Sequence, residues 1–526
     1  MNHRMRAIWS GVLAMLISAA VLAPPAVALD EVNTKRLRDA VTINGILRHE
    51  RALQFIANVN AGTRVSGSPG FDASADYVKR QLEQADYSVS EQYFEFPFFQ
   101  ETAPGVFQRV SPNPRTFAAD EFATMGYSGS GDVNAALAAI DVVVPIAGNP
   151  PNTSTSGCEA SDFAGFTAGA VALVQRGTCP FRQKVDNAAA AGASAVIVFN
   201  EGQPQSPTQP EDRSVVILGT LGTPGVTIPV VGTSYAIGEE LVNQTRAGAV
   251  RVHLSTSTIS QIRTTRNVIA DYDVGGGDRS QTIVVGSHLD SVPEGPGIND
   301  NGSGSATALE TAIQISELGL NPRRALRFAF WGAEEEGLLG STYYVDKLGD
   351  AIGDIYANLN FDMLGSPNYV RFVHDGDNST FPAGANVQSG PPGSGQIEGL
   401  FNSYFAGRGL ATDPTAFDGR SDYGPFIAVG IPAGGLFSGA EGTKTAEQAA
   451  TYGGIAGQPY DPCYHQACDT ITNLNTTALG EMGDGVAHAT WTLAKSASGL
   501  FEDESLRARR TKAMKTQTFY GPLASR

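Results

Sequence analysis

Positive charge is in short supply in this 526-residue chain, which sets 36 Lys and Arg against 53 Asp and Glu for a formal charge of −17. That balance excludes a phosphate-binding surface as the main business, and nucleic acid as a partner. Charged residues make up only 17%, whereas 60 Gly and 29 Pro imply many short loops in an ordinary globular protein rather than a coiled coil or a disordered chain. Long apolar runs are also missing. The one candidate, about Ile8 to Leu22, is shorter than the ~20 residues of a spanning helix. Arg4 and Arg6 precede it and Ala26-Val27-Ala28 follows, so residues 1–28 read as a signal peptide cleaved after Ala28. The expectation is a secreted protein, with the periplasm or cell surface as compatible destinations, and no membrane attachment after cleavage.

Cysteine is nearly absent, with four residues and no Cys-x-x-Cys. In an exported chain they read as two local disulfides, Cys158 with Cys179 and Cys463 with Cys468, in preference to thiolate metal ligands. Histidine is scarce too, at seven, so any His that falls beside carboxylates is informative.

The spacing of Leu37, Val41, Ile46, Leu53 and Ile56 predicts helix from Thr34 to Asn58, a second helix follows from about Phe71 to Ala85, and a strand runs through Phe94. Gly, Pro and Ser at 111–114 and 128–131 have the texture of a domain boundary. Residues 133–257 then alternate short apolar strands with Gly-Ala helices and hold no catalytic cluster. After Thr264 buried strands alternate with helices, which predicts an α/β fold with a central sheet covered on both faces. Residues 501–526 form a basic tail, read as a solvated or processed extension.

Chemistry gathers where the buried strands stop. Thr282–Val285 runs into Gly286-Ser287-His288-Leu289-Asp290, with Asp300 ten residues on; Leu326–Trp331 ends in Gly332-Ala333-Glu334-Glu335-Glu336; and Tyr356–Phe361 ends in Asp362. Ligands collect at the carboxyl ends of strands in α/β sheets. Glu336 reads as an acid in a first helical turn, favourable against the dipole. Glu334 and Glu335 suit a general base beside a metal ligand. His465 sits between Cys463 and Cys468. Together His288, Asp300, Glu335, Asp362 and His465 supply five N/O ligands, enough for two metals that share one carboxylate. Imidazole and carboxylate without thiolate indicate zinc, with cobalt or manganese as compatible substitutes. Two such ions can activate water and polarise a carbonyl, so a hydrolase is expected.

In that order and spacing the clusters resemble the secreted co-catalytic zinc aminopeptidases of leucine aminopeptidase type that carry an inserted protease-associated (PA) domain. Residues 267–496 carry the densest likeness, and Ala172–Phe181 with Lys184 resembles the PA insert. The resemblance implies a peptidase domain in two parts, 29–132 (with 29–43 a candidate propeptide) and 258–500, around a PA insert at 133–257. It implies that His288 and Asp362 hold one zinc, Glu335 and His465 the other, and that Asp300 bridges. A water between the ions would lose its proton to Glu334. Tyr464 would donate to the oxyanion, Arg420 would stand near the substrate, and Asp290 would orient His288. Preference for a large apolar first residue such as Leu is the family's habit, with the pocket drawn from about Gly434 to Phe437. Substrates would be peptides or proteins with a free N-terminus, acted on by a monomer.

Some motifs carry nothing. Asn301-Gly302-Ser303 matches a glycosylation sequon but abuts the bridging Asp300, and His49, His253, His374 and His488 read as structural. The rival readings are a carboxypeptidase or dipeptidase of the same fold, which would need cations for a substrate carboxylate, and a receptor-like protein that has lost catalysis, which would be expected to lack ligands. A serine hydrolase is disfavoured, since no Gly-x-Ser-x-Gly lies beside the clusters.

Overall fold

The computed structural model describes residues 32–146, 153–205, 211–275 and 277–501. The signal peptide, the first residues of the candidate propeptide and almost all of the basic tail lie outside these. Among the described residues no helix is long and apolar enough to cross a membrane.

The fold is α/β with a mixed sheet. At its centre Asp278–His288 lies between Arg324–Trp331 and Ile355–Phe361, parallel to both, and Ala433–Phe437 continues in parallel beyond Ile355–Phe361. Phe372–His374 and Asp413–Thr415 close one edge. Alternation along the strands splits the core into two layers. Ile283, Val285, Phe328 and Leu359 face the helices Ser303–Glu317 and Thr476–Lys495, while Val284, Ala329 and Trp331 face Tyr344, Val345 and Phe426 on the other side. Both faces are thus dry, as the near-continuous apolar strands require. Phe328 is fully buried in the larger layer. Phe328→Ala should therefore lower the unfolding free energy by about 3–5 kcal/mol, read as an earlier urea midpoint with an unchanged slope.

The second unit hangs from this sheet on a ribbon. Ser88–Ser111 pairs antiparallel with Arg251–Tyr272 along almost its whole length, and Arg251–Tyr272 passes residues 257 and 258 without a break. At the ribbon's far end Gly131–Ala139 leads into the parallel strands Val171–Gln175, Ala195–Phe199 and Val230–Thr233, the last paired with Phe122–Thr124. Helices Phe181–Ala190 and Tyr235–Ala247 cover opposite faces of this smaller sheet, the first through Val185 and Ala188, the second through Leu241 and Val242. The Cys158–Cys179 and Cys463–Cys468 disulfides are both formed.

Local differences from the sequence reading have physical causes. The predicted first helix is two, Lys35–Ala40 and Ile43–Val59, because Thr42 caps the second by accepting the Gly45 N–H. Glu336 is not in a first helical turn. The chain after Trp331 turns through Gly337 (φ 107°) and Leu338 (φ 61°), and the helix begins only at Leu339.

Candidate active site

Because the three central strands are parallel, their carboxyl ends share one edge of the sheet, and His288, Glu334, Glu335 and Asp362 emerge there together. Asp300 arrives from the turn before the helix Ser303–Glu317. Its backbone is held by Asp469, whose two carboxylate oxygens accept the N–H groups of Asn299 and Asp300 at 2.9 and 3.0 Å. Asn301 ties the same turn to the next strand end, accepting from Gly304 N and Met363 N and donating to the Phe361 carbonyl. Its side chain is fully buried, so the sequon is closed to any glycan. Arg64, also fully buried, donates to the carbonyls of Leu289, Pro296 and Gly297 and fixes the loop from below. Ala333 (φ 54°), Met363 (φ 52°) and His465 (φ 55°) all take the left-handed backbone next to or within the cluster. Such conformations cost about 1–2 kcal/mol each for residues with a Cβ, and their concentration marks a functional site.

The five predicted ligands meet. His288 Nε2 stands 3.2 Å from Asp300 Oδ1 and 3.2 Å from Asp362 Oδ1, while His465 Nε2 stands 3.3 Å from Asp300 Oδ2 and 3.1 Å from Glu335 Oε2. Asp300 thus turns one oxygen to each pair. Donor atoms of His288, Glu334 and Asp362 fall within 4.8 Å of one another, as do those of His288, Asp300 and Glu335. Four donors around a tetrahedral ion with bonds of 2.0–2.1 Å lie roughly 3.3–3.4 Å apart, so the observed spacing fits zinc. Charge argues the same way. Four carboxylates outnumber two imidazoles in a mostly buried cluster, and gathering so much acid without a counter-ion is costly. Glu335 Oε1 is buried without a hydrogen-bond partner.

The electrostatics follow from this crowding. Burial opposes charge on His288, but Glu334 and Asp362 outweigh it and hold its proton affinity well above the ordinary value. Burial raises Glu334 well above the usual carboxylate range, helped by Asp422 and Asp362 and opposed by His288. Burial and then Asp300 raise Glu335 to about 7.

Around the ligands the structure adds parts and corrects details. Asp290 Oδ1 is 3.6 Å from His288 Nδ1, too long for a hydrogen bond; its oxygens instead accept the main-chain N–H groups of Glu334 and Glu335 at 3.3 and 3.4 Å. Arg420 donates to Tyr464 Oη at 3.1 Å and to Glu441 at 2.7 Å, and the Tyr464 ring stacks on His465 at 3.8 Å between centroids. Ser421 donates to Asp362 Oδ2 at 2.6 Å. Sequence reading did not find Ser421, Asp469 or Arg64. Their signal is a partner 59 to 233 positions away, invisible in any local pattern.

A cavity of about 240 Å³ opens from the acids, walled by Met363, Phe372, Ala416, Phe437 and Tyr460. Of the stretch expected to shape it, only Phe437 reaches it, since Gly434, Gly435 and Leu436 are buried within their strand. His374 lines it as well, stacked on Phe417 and kept neutral by burial, which lowers its pKa to about 4. His49, His253 and His488 pair elsewhere, with Glu310, Asp132 and Thr34.

Comparison with known proteins finds relatives for both units of the chain. Residues 267–490 match Peptidase family M28 and residues 139–241 match the PA domain. A Pseudomonas aeruginosa protein described as "Aminopeptidase" is 44% identical over 455 residues, 86% of this chain and 81% of its own length. "Leucine aminopeptidase 2" of Arthroderma otae is 43% identical over 65% of this chain and 66% of its own. Among solved structures, the aminopeptidase from Aneurinibacillus sp. strain AM-1 superposes with a TM-score of 0.60 at 25% identity, covering 89% of this chain and 98% of that one.

Proposed function

This chain belongs to peptidase family M28, with a PA domain inserted, and from that premise we propose that it is a secreted aminopeptidase holding two zinc ions and removing large apolar N-terminal residues such as Leu. The observation that carries the reading is the division of Asp300 between two His–carboxylate pairs at 3.1–3.3 Å. His288 and Asp362 would hold one ion, Glu335 and His465 the other, and Asp300 both. Bound zinc supplies Lewis acidity toward a water and toward the scissile carbonyl.

The chain's own residues do the rest. Glu334 Oε2, 3.9 Å from His288 Nε2, stands back from the ligand spacing and is free to take the proton of the attacking water and return it to the leaving amine. Asp290 fixes the backbone that presents Glu334 and Glu335. Arg420 occupies a lone pair of the Tyr464 hydroxyl, so the Tyr464 proton is left to donate to the oxyanion. An α-ammonium is drawn to the carboxylates, and an internal peptide bond brings no such charge. The first side chain fits the apolar cavity at Phe372, Phe437 and Tyr460.

Two features favour this over a carboxypeptidase or a non-catalytic binding protein. Among the described residues Arg420 is the single Arg or Lys lining the cavity, and it is already paired with Glu441. The proposed ligands and Glu334 lie together in one cluster. Leu-p-nitroanilide should release nitroaniline while its N-acetyl form does not, with activity abolished by chelation and regained with zinc. Cleavage of the acetylated substrate at a comparable rate would overturn the exopeptidase assignment.

A further inference from the structure

The acidic floor opens in a second direction. Glu334, Glu335, Arg420, Tyr464 and His465 line the apolar cavity and also a larger space of about 540 Å³. On the peptidase side this space is bounded by Leu338 and Gly419; its opposite wall is built by Tyr127, Leu218 and Thr220, which belong to the unit carried on the ribbon. The two units therefore face each other across the reacting centre.

Leu218 is 85% exposed, while its neighbours Ile217 and Leu221 are buried at 4% and 3%. The loop is anchored on both sides of it. Gly126 N donates to the Gly219 carbonyl and Leu221 N to the Gly126 carbonyl, each at 2.9 Å. Gly219 is closely packed, the Met125 methyl lying 2.5 Å from where a Cβ would stand. Leu218 is thus held out by a packed loop. Tyr127 is fixed as firmly, in a left-handed backbone (φ 64°), its hydroxyl donating to the Pro97 carbonyl at 3.3 Å and its ring packed near Phe99. Both present apolar surface into a space that is continuous with the site.

A peptide whose first side chain fills the smaller cavity and whose scissile bond lies over the acids has its remaining residues on the side of the larger one. We propose that this space seats the residues that follow the scissile bond, and that Leu218, with Tyr127, selects apolar side chains there. The inference rests on the aminopeptidase reading. It makes the inserted unit a specificity element, acting on the leaving peptide and not on the first residue.

The test compares kcat/KM for Leu-Leu-Gly, Leu-Ser-Gly and leucinamide in the parent and in Leu218→Asp and Leu218→Ala. Covering a leucine is worth about 10–100-fold in binding. In Leu218→Asp the ratio of Leu-Leu-Gly to leucinamide should fall by about tenfold or more, chiefly through KM, with Leu-Ser-Gly much less affected. Leu218→Ala should shift the ratio the same way by less, and it introduces no charge that could disturb folding. An unchanged ratio in both variants would overturn the subsite and leave the aminopeptidase standing. Failure of the parent to cleave any of the three would overturn both.

Discussion

Glu334→Gln should retain the parent's zinc content and turn over about 10²–10⁴-fold more slowly, the usual worth of a positioned general base. The two halves of this expectation have separate structural grounds. Metal is retained because the contacts at 3.1–3.3 Å all belong to His288, Asp300, Glu335, Asp362 and His465, whereas Glu334 approaches His288 only to 3.9 Å. The turn is retained because Asp290 holds it through main-chain N–H groups, which the substitution does not touch. What is lost is a basic oxygen, since an amide of the same shape cannot take a proton from water. Elemental analysis with steady-state kinetics on Leu-p-nitroanilide reads both. Full activity in the variant would sink the assignment of Glu334.

Asp300→Ala should behave in the opposite way and lose metal and activity together. Loss of a residue that merely orients a ligand costs about 10–100-fold in metal affinity. Asp300 contributes one oxygen to each His–carboxylate pair, so on the two-ion reading its removal should exceed that loss at each pair. Zinc titration of the variant against a competing chelator measures it. Retention of two tightly bound ions would show that Asp300 does not bridge.

The ends of the central strands were legible because a strand buried on both faces is an apolar run, and His288, Glu334 and Asp362 stand out where each run stops. His465 has no such frame. It was found through its flanking cysteines and the resemblance of that segment to a known motif. Less was readable where tertiary pairing overrides local propensity. The strand from Ser88 extends to Ser111, well past Phe94, although Pro97, Pro104 and Gly105 are poor strand residues; its partner, Arg251–Tyr272, lies some 160 positions away. Residues that position the site hide for the same reason. Asp469 looks like any acid after a cysteine, and only the folded chain shows it holding the backbone of Asp300. Leu218 carries no signal in a sequence at all, since one leucine in a loop of small and apolar residues becomes notable only when its neighbours are buried and it is not.

The long ribbon has a consequence for how such a molecule can be assembled and altered. Chain enters and leaves the second unit on neighbouring strands, which run about 5 Å apart, so the whole unit is a graft with a narrow stem. Exchanging it would leave the parent scaffold's strand order, ligands and helices in place. A peptidase built this way can keep its chemistry fixed while the reach and character of its outer wall are replaced as a cassette.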